Sequence, residues 1–185
     1  MRIESIRQSL FATGAKDCHV DRVMRAWAQG KPLDAGPRNH PPEAFLPLAL
    51  RNALPGLHDE LSALARVRSE HPGEDGSSRL LVELGDGQTV ESVLLPRDGL
   101  CISTQIGCAV GCTFCMTGRD GLLRQVSSGE MLAQVILGRA RRKVARVVFM
   151  GMGEPSHNMD NVLEAIDLLG TAGGIGHKEI VFSTV

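Results

Sequence analysis

Apolar residues in the first thirty positions recur every three or four residues, which is the period of a helix buried along one face. A turn at Gly14 divides them into two short predicted helices. Residues 31–42 are rich in proline and predict a linker, and a third helix is predicted from Glu43 to Leu54, ending at Pro55. The pattern therefore predicts a small helical module over residues 1–71.

Beyond residue 71 the spacing changes from the helical period to the alternation of strands. Residues 80–84 and 90–95 alternate apolar and polar positions around Gly85-Asp86-Gly87, which predicts a β-hairpin within a connector over residues 72–98. From residue 99, predicted strands at 100–104, 144–150 and 180–184 alternate with helices that begin at Ser127, with Glu130 completing a capping box, and at Asn161. This alternation predicts an α/β fold with a parallel sheet whose chemistry gathers at the carboxyl ends of the strands.

The cysteines add candidate chemistry to this picture. Cys108, Cys112 and Cys115 stand in Cys-x3-Cys-x2-Cys spacing, with Phe114 directly before the last. Three thiolates on one loop can ligate three irons of a [4Fe–4S] cluster and leave the fourth iron open to a ligand. Structural zinc usually takes two ligand pairs, and a disulfide framework usually has an even number of cysteines, so both alternatives fit this chain of five cysteines less well.

Composition limits the class of protein and its partners. The 185 residues, 43% hydrophobic with a formal net charge of −1, predict a cytoplasmic protein of one domain, or a small domain plus part of a larger one. Five basic residues crowd into positions 139–146, which fits either a solvated helix end or an RNA contact. The chain has no tyrosine and one tryptophan, so any RNA partner is expected to be held mainly by charge and shape.

The glycine-rich segment Gly151-Met152-Gly153-Glu154-Pro155 directly follows a predicted buried strand. Its glycines allow the backbone to approach a ligand closely, and Glu154 offers a carboxylate to an amine. A tight strand-to-helix turn accounts for the same residues without any ligand.

Taken together, several motifs resemble the RlmN/Cfr family of radical S-adenosylmethionine (SAM) RNA methyltransferases. They are Leu100–Cys108, Cys112–Cys115, Met150–Pro155 with Asn158, and Val181–Thr184. The resemblance runs from about Arg79 to the last residue and is loose before it, where residues 1–71 resemble a small RNA-binding domain. It implies that residues 99–185 form the first half of a partial (βα)6 barrel.

The resemblance also implies residue roles. Cys108, Cys112 and Cys115 would hold the [4Fe–4S] cluster. Gly153, Glu154 and Ser183 would contact SAM. Glu91 matches the family's proposed general base, and Cys101 matches the cysteine that forms a transient disulfide to free the product. From the residues alone, Cys101 fits a core cysteine and Glu91 the solvent face of a strand, while Cys18 is interpreted as structural.

The implied reaction is radical methylation of carbon 2 of an adenine in 23S rRNA, and in some members of a tRNA, with an electron donor such as flavodoxin. In the family, a cysteine near the C-terminus carries the methyl group, and no cysteine follows Cys115 here. We therefore expect the chain to be an incomplete catalyst, with a second polypeptide as one way to complete it. The alternatives are carbon-8 methylation as in the Cfr branch, a different radical SAM reaction, and a non-catalytic RNA-binding remnant.

Overall fold

The helical module begins with two helices, as the apolar spacing predicts. The computed structural model describes residues 1–37 and 40–185, so Arg38 and Asn39 of the predicted linker lie outside the described residues. Helix α1 spans Ile3–Ala12 and helix α2 spans Asp17–Ala28. Both bury their apolar stripes, and Val20, Val23 and Met24 of α2 are fully enclosed. The helical spacing therefore marks the buried faces correctly.

Helix α3 spans Leu48–Ser62 and contains Pro55, so the prediction of a helix from Glu43 that ends at Pro55 is wrong. Only a short 3-10 turn, Pro42–Ala44, precedes it. Proline removes one helical hydrogen bond, but the buried leucine stripe of α3 continues past it. That stripe consists of Leu50, Leu54, Leu57 and Leu61. Burial on both sides of Pro55 thus outweighs the local tendency of proline to end the helix.

One six-stranded sheet forms the centre of the fold, in the spatial order β1-β2-β3-β4-β7-β8. Its strands are β1 Ala65–Pro72, β2 Ser78–Leu84, β3 Thr89–Leu95, β4 Gly99–Cys101, β7 Arg146–Phe149 and β8 Ile180–Phe182. The predicted hairpin is confirmed as β2 and β3. Strand β1, which the sequence pattern did not indicate, occupies the end of the region predicted to be helical, and the predicted boundary after residue 71 falls inside it.

The sheet changes from antiparallel to parallel at β4. Strands β1 to β4 pair antiparallel, whereas β7 pairs parallel to β4 and β8 parallel to β7, as the strand–helix alternation predicts. A tight turn joins β3 to β4, with positive φ at Arg97 and Asp98. Strands β5 Gln105–Gly107 and β6 Leu122–Gln125 form a separate antiparallel pair that was not predicted.

Helices α4 Ser128–Arg139 and α5 Met159–Thr171 connect the parallel strands and cover one face of the sheet. The predicted capping box of α4 is confirmed, because the Ser127 backbone N–H donates to the Glu130 carboxylate at 2.8 Å and the Ser127 hydroxyl accepts from the Glu130 N–H. One continuous hydrophobic core joins α1, α2 and α3 to α4, α5 and the sheet. Within the described residues, none of the helices has the length and apolar character needed to span a membrane.

The opposite face of the sheet carries a row of half-exposed side chains. Val93, Cys101, Val148 and Val181 are register partners across β3, β4, β7 and β8. Their chain neighbours Leu94, Leu100 and Val147 point into the core and are fully buried. We call this second face the open face. Glu91 lies two residues before Val93 on β3, so its side chain points to the same face as Val93 and its register partner Cys101.

Candidate functional site

Two segments at the carboxyl ends of β4 and β7 are joined by hydrogen bonds into what we call the stem. The stem consists of residues 102–105, which lead to the cysteine loop, and residues 151–154, which follow β7. The Met152 carbonyl accepts from the Thr104 N–H at 2.8 Å and from the Gln105 N–H at 3.1 Å. The Met152 N–H donates to the Ser103 hydroxyl at 2.8 Å. The glycine-rich segment and the start of the cysteine loop are therefore held side by side, as predicted from their shared sheet edge.

The glycines of the stem have a packing reason of their own. A Cβ on Gly153, whose φ is +98°, would lie 2.4 Å from the Cβ of Gln105. A Cβ on Gly151 would lie 2.6 Å from the Ile102 carbonyl oxygen. Both positions require glycine so that the two segments can touch. Contact of Gly153 with SAM remains a prediction beside this structural role.

Glu154 is buried, and its carboxylate already has partners within the protein. The Thr184 hydroxyl donates to it at 2.6 Å and the Ser156 N–H at 2.9 Å, while the Val185 N–H lies 3.3 Å away. Burial raises the pKa of the carboxyl, but these hydrogen bonds outweigh burial and lower its pKa to about 2. Glu154 is therefore ionised at neutral pH and can accept from a cationic amine.

Ser183 follows β8 on the same edge of the sheet, close to the chain segment that contacts Glu154. The side chain is half-buried, and its hydroxyl makes no hydrogen bond within the described part of the chain. Thr184, which the sequence reasoning did not single out, is the residue that bonds Glu154. The contact of Ser183 with SAM stays a prediction.

The three cysteines lie on a loop between β5 and β6. Cys108 is buried at the base of the loop, where its N–H donates to the Gly121 carbonyl at 3.0 Å. Cys112 is half-buried and Cys115 is exposed, with the Cys115 N–H donating to the Cys112 carbonyl at 3.0 Å. The two ends of the loop meet at what we call its neck, where the backbone of Gly107 packs against that of Gly121 so closely that a side chain on Gly107 would obstruct the contact. The loop thus presents three thiols on one short segment.

The donor set of this loop fits an iron–sulfur cluster in kind. Hydrogen bonds from the Thr117 hydroxyl and backbone lower the pKa of the exposed Cys115 thiol, which favours the thiolate that iron needs. Among residues 1–37 and 40–185, however, no three His, Cys, Asp or Glu side chains converge into a metal site. All five cysteines are free thiols, so the three ligand roles stay a prediction that requires the loop to draw its thiols together.

Cys101 and Glu91 occupy the open face of the sheet. Cys101 stands between Val93 and Val148 in the row of register partners, and burial raises the pKa of its thiol. The Glu91 carboxylate accepts from Arg79 at 2.9 Å, in an ion pair whose two side chains are 42% and 54% exposed. The structure therefore places both predicted residues on the same face, and Glu91 is held by a solvent-exposed cation.

Comparison with known proteins gives this geometry a family context. Residues 102–185 match the sequence model of the Radical SAM superfamily. The matched segment contains the three loop cysteines, the stem and Ser183, whereas Glu91 and Cys101 precede it. The match therefore covers the segments that follow the carboxyl ends of β4, β7 and β8, where the candidate site lies.

Relatives and a solved structure match the chain along its whole length. It is 84% identical to a "Probable RNA methyltransferase" from Dechloromonas aromatica and 69% identical to another from Thiobacillus denitrificans, covering 52% and 51% of those proteins. A crystal structure of a radical SAM methyltransferase from Sphaerobacter thermophilus matches with a TM-score of 0.71 at 29% identity, covering 100% of this chain and 55% of that one. The chain thus spans about half the length of the curated relatives that it matches.

A buried polar network connects the stem to α4 and β3. The Gln134 carboxamide of α4 accepts from the Ser103 N–H and the Ser92 hydroxyl, both at 2.9 Å, and donates to the Ser103 carbonyl at 3.0 Å. The Ser103 hydroxyl in turn donates to the Glu91 carbonyl at 2.6 Å. Asn158 donates to the carbonyls of Thr104 and Val126, both at 2.7 Å. Sequence reasoning included Ser103, Thr104 and Asn158 in the motifs of the resemblance without giving them a structural role, and it did not single out Gln134, because a lone Gln in a helix carries no motif.

The basic run at residues 139–146 is bonded within the protein. Arg139 donates to the carbonyls of Ala28 and Gly173, and Arg142 to that of Gly76. The others form ion pairs, Arg141 with Glu70, Lys143 with Asp98 and Arg146 with Glu179. The run therefore ties the end of α4 to neighbouring elements, which favours the first of its two predicted interpretations over an RNA contact.

Proposed function

We propose that the chain is part of a radical SAM RNA methyltransferase that methylates carbon 2 of an adenine in 23S rRNA, and also acts on tRNA. The observation that carries the proposal is the stem, which holds a glycine-rich turn and an ionised Glu154 against the start of a three-cysteine loop. The match of residues 102–185 to the Radical SAM superfamily and the names of the relatives support it.

In this proposal Cys108, Cys112 and Cys115 hold a [4Fe–4S] cluster. When bound there, the cluster would supply the electron needed to cleave SAM, with an electron donor such as flavodoxin as its source. The tip of the cysteine loop is open to solvent, because Phe114 is 89% exposed. The neck of the loop stays fixed by its backbone contacts to Gly121 while the thiols of the tip gather.

The stem binds the amino acid portion of SAM. Glu154 accepts hydrogen bonds from the SAM ammonium group, in place of the donors from Thr184 and Val185 that it has here. The carboxylate is ionised at neutral pH before SAM binds, and the positive charge of the ammonium group that replaces these donors keeps it ionised. Gly153 lets the backbone approach the ligand, and the free Ser183 hydroxyl adds a further contact.

Glu91 and Cys101 act on the RNA base from the open face. Glu91 is the general base that takes the proton from carbon 2. To do so, its carboxylate leaves the exposed ion pair with Arg79 and turns to the substrate. Cys101 is the resolving thiol, and the raised pKa keeps it protonated and unreactive until a base removes its proton. Its disulfide partner is the methyl-carrying cysteine, which this sequence does not contain after Cys115.

The rest of the partial (βα)6 barrel is proposed to cover the open face. Strand β8 is the last strand of the sheet order, and Val181 on it is 38% exposed. An unpaired edge beside a half-exposed apolar row is a surface that further strands would pair with and bury. Whether further sequence of the same protein or a second polypeptide supplies them, the complete enzyme is proposed to work in the cytoplasm.

Anaerobic reconstitution with iron and sulfide tests the proposed function. We expect about four irons per chain and the electron paramagnetic resonance spectrum of a reduced [4Fe–4S] cluster, which shifts when SAM is added. Changing Cys108, Cys112 and Cys115 to Ala together should abolish both iron binding and the spectrum. Cys18→Ala is the matched control, because Cys18 is exposed on α2, outside the loop, and should change neither.

A folded chain that binds no cluster, or a cluster that persists in the triple variant, would contradict the proposal. Tightly bound zinc at the same cysteines would support a zinc site instead. RNA binding that survives loss of the three cysteines, with no SAM cleavage by the intact protein, would identify a binding remnant. Mass spectrometry of the methylated adenine, with the complete protein, separates carbon 2 from carbon 8.

A further inference from the structure

A small cleft beside α2 is lined by three cations and no carboxylate among the described residues. Its volume is about 240 Å³. Arg22, Arg25 and Lys31 supply the charge, and the remaining lining residues are Ala26, Gln29, Ala35, Gly36 and Pro37. The volume lies below the roughly 300–1,000 Å³ of pockets for drug-sized ligands, so the cleft suits a single compact anion.

The charges of the cleft are uncompensated. Arg25 and Lys31 are exposed and form no ion pair within residues 1–37 and 40–185, although basic side chains elsewhere, such as Arg7 and Arg66, have carboxylate partners. Arg22 and Arg25 are three residues apart on one helix and thus share a face, where like charges repel. A bound anion would relieve that repulsion.

The cleft is also shaped by packing. The Arg22 guanidinium lies 4.8 Å from the centre of the Phe45 ring, which holds the cation in place. Gly36 lies against the same ring so closely that a Cβ would fall 2.0 Å from it. A planar guanidinium fixed on a ring is pre-organised to donate two parallel hydrogen bonds to phosphate oxygens.

We propose that this cleft binds one phosphodiester group of the RNA backbone, an inference that rests on the proposed function. The Arg139 side chain joins the end of α2 to the end of α4, whereas the cysteine loop adjoins the start of α4. Since α4 has 12 residues, the two positions are separated by about one helix length, roughly 18 Å. The cleft therefore contacts RNA at a distance from the reacting base and contributes to affinity, not to chemistry.

A pair of charge-matched variants tests the assignment. Arg25→Gln with Lys31→Gln removes two cations of the cleft, while Lys143→Gln with Arg146→Gln removes two cations that the structure pairs internally. The probe is a fluorescein-labelled tRNA transcript, and its dissociation constant is measured by anisotropy between roughly 50 and 200 mM KCl. Circular dichroism confirms that both variants remain folded.

For the cleft variant we expect weaker binding and a slope of log K against log [KCl] that is shallower by about 0.7 to 0.9, as for one lost phosphate contact. The matched control should keep the slope of the unmodified chain. Equal slopes for the unmodified chain and the cleft variant would overturn the assignment, and so would failure of the unmodified chain to bind the transcript.

One further measurement distinguishes a site for RNA from a site for free phosphate. A second separates failure of the cleft assignment from failure of the proposed cluster. If inorganic phosphate raises the melting temperature of the unmodified chain but not of the cleft variant, and tRNA binding is unchanged, the cleft takes free phosphate and the RNA assignment is wrong. The cleft variant should still assemble the cluster and respond to SAM, because Arg25 and Lys31 lie on the helical module. Loss of RNA binding with an intact cluster signal supports the cleft, whereas absence of a cluster in every variant counts against the proposed function alone.

Discussion

Replacing Gln134 by leucine tests whether the buried polar network holds the stem in place. The Gln134 side chain is fully buried in α4 and bonds three groups beneath the site. They are the Ser103 N–H, the Ser103 carbonyl and the Ser92 hydroxyl. Leucine is close to glutamine in volume, so the change removes the polar partner while leaving a small cavity term.

The magnitude follows from the groups left without a partner. Ser103 is fully buried and Ser92 is 1% exposed, so water does not replace the lost hydrogen bonds. An unsatisfied buried polar group costs about 1–3 kcal/mol. Three such groups at the lower end of that range give a loss of about 3 kcal/mol in the free energy of unfolding of Gln134→Leu.

The assay is urea unfolding followed by the fluorescence of Trp27, the one tryptophan in the chain, which is buried. Gln8→Leu is the matched control, since Gln8 lies on the exposed face of α1 and donates only to Glu4. Its effect should stay within about 0.5 kcal/mol. A loss below about 1 kcal/mol for Gln134→Leu, at an unchanged urea dependence, would refute the claim that these groups depend on Gln134.

Two further changes probe the stem directly. Because the pKa of Glu154 is lowered from 4.5 to about 2, its ionised form stabilises the fold above about pH 4.5, and this contribution is lost as the pH falls towards 2. The difference in unfolding free energy between the unmodified chain and Glu154→Gln should shrink over that range, and a difference independent of pH would contradict this. Gly153→Ala should destabilise the chain by about 2–4 kcal/mol, because the new Cβ meets Gln105 at a positive φ. Gly76→Ala, with a positive φ but open space around it, should cost only about 1 kcal/mol, and equal urea midpoints for the two variants would show that the close contact is unimportant.

Local chemistry determines which elements the sequence could predict. The Ser127–Glu130 capping box and the apolar strand before Gly151 are encoded by neighbouring residues, and both were found where expected. The hairpin likewise follows from alternation around a glycine-rich turn. In each case the residues that specify the element lie within it or at its ends.

Elements that depend on distant partners could not be predicted in this way. Strand β1 carries mostly exposed polar side chains and is specified by its pairing with β2, not by its own pattern. Strand β6 begins with two exposed leucines and shows no alternation, so only its pairing with β5 defines it. Helix α3 continues through Pro55 because of the core it packs against, which local propensity does not include.

The same limit applies to the candidate site. Spacing alone identified the cysteine loop and the glycine-rich turn, but it gave no indication that Gly153 packs on Gln105 or that Thr184 bonds Glu154. Nor could it distinguish the bonded cations of residues 139–146 from the unpaired ones of the α2 cleft. That distinction depends on carboxylates and carbonyls that other elements bring into contact.

The stem and the tip of the cysteine loop differ in how completely the protein itself determines them. Residues 102–105 are buried, and their backbone and side chains are bonded to residues 151–154 and to α4. At the tip, Phe114 and Met116 are 89% and 72% exposed, and Cys115 is exposed beside them. Buried, bonded backbone resists local opening, whereas exposed backbone with few apolar contacts does not. A ligand that draws the three thiols together is therefore expected to reorganise mainly the tip, whereas the stem, which we propose receives the amino acid portion of SAM, is already held in place by contacts within the protein.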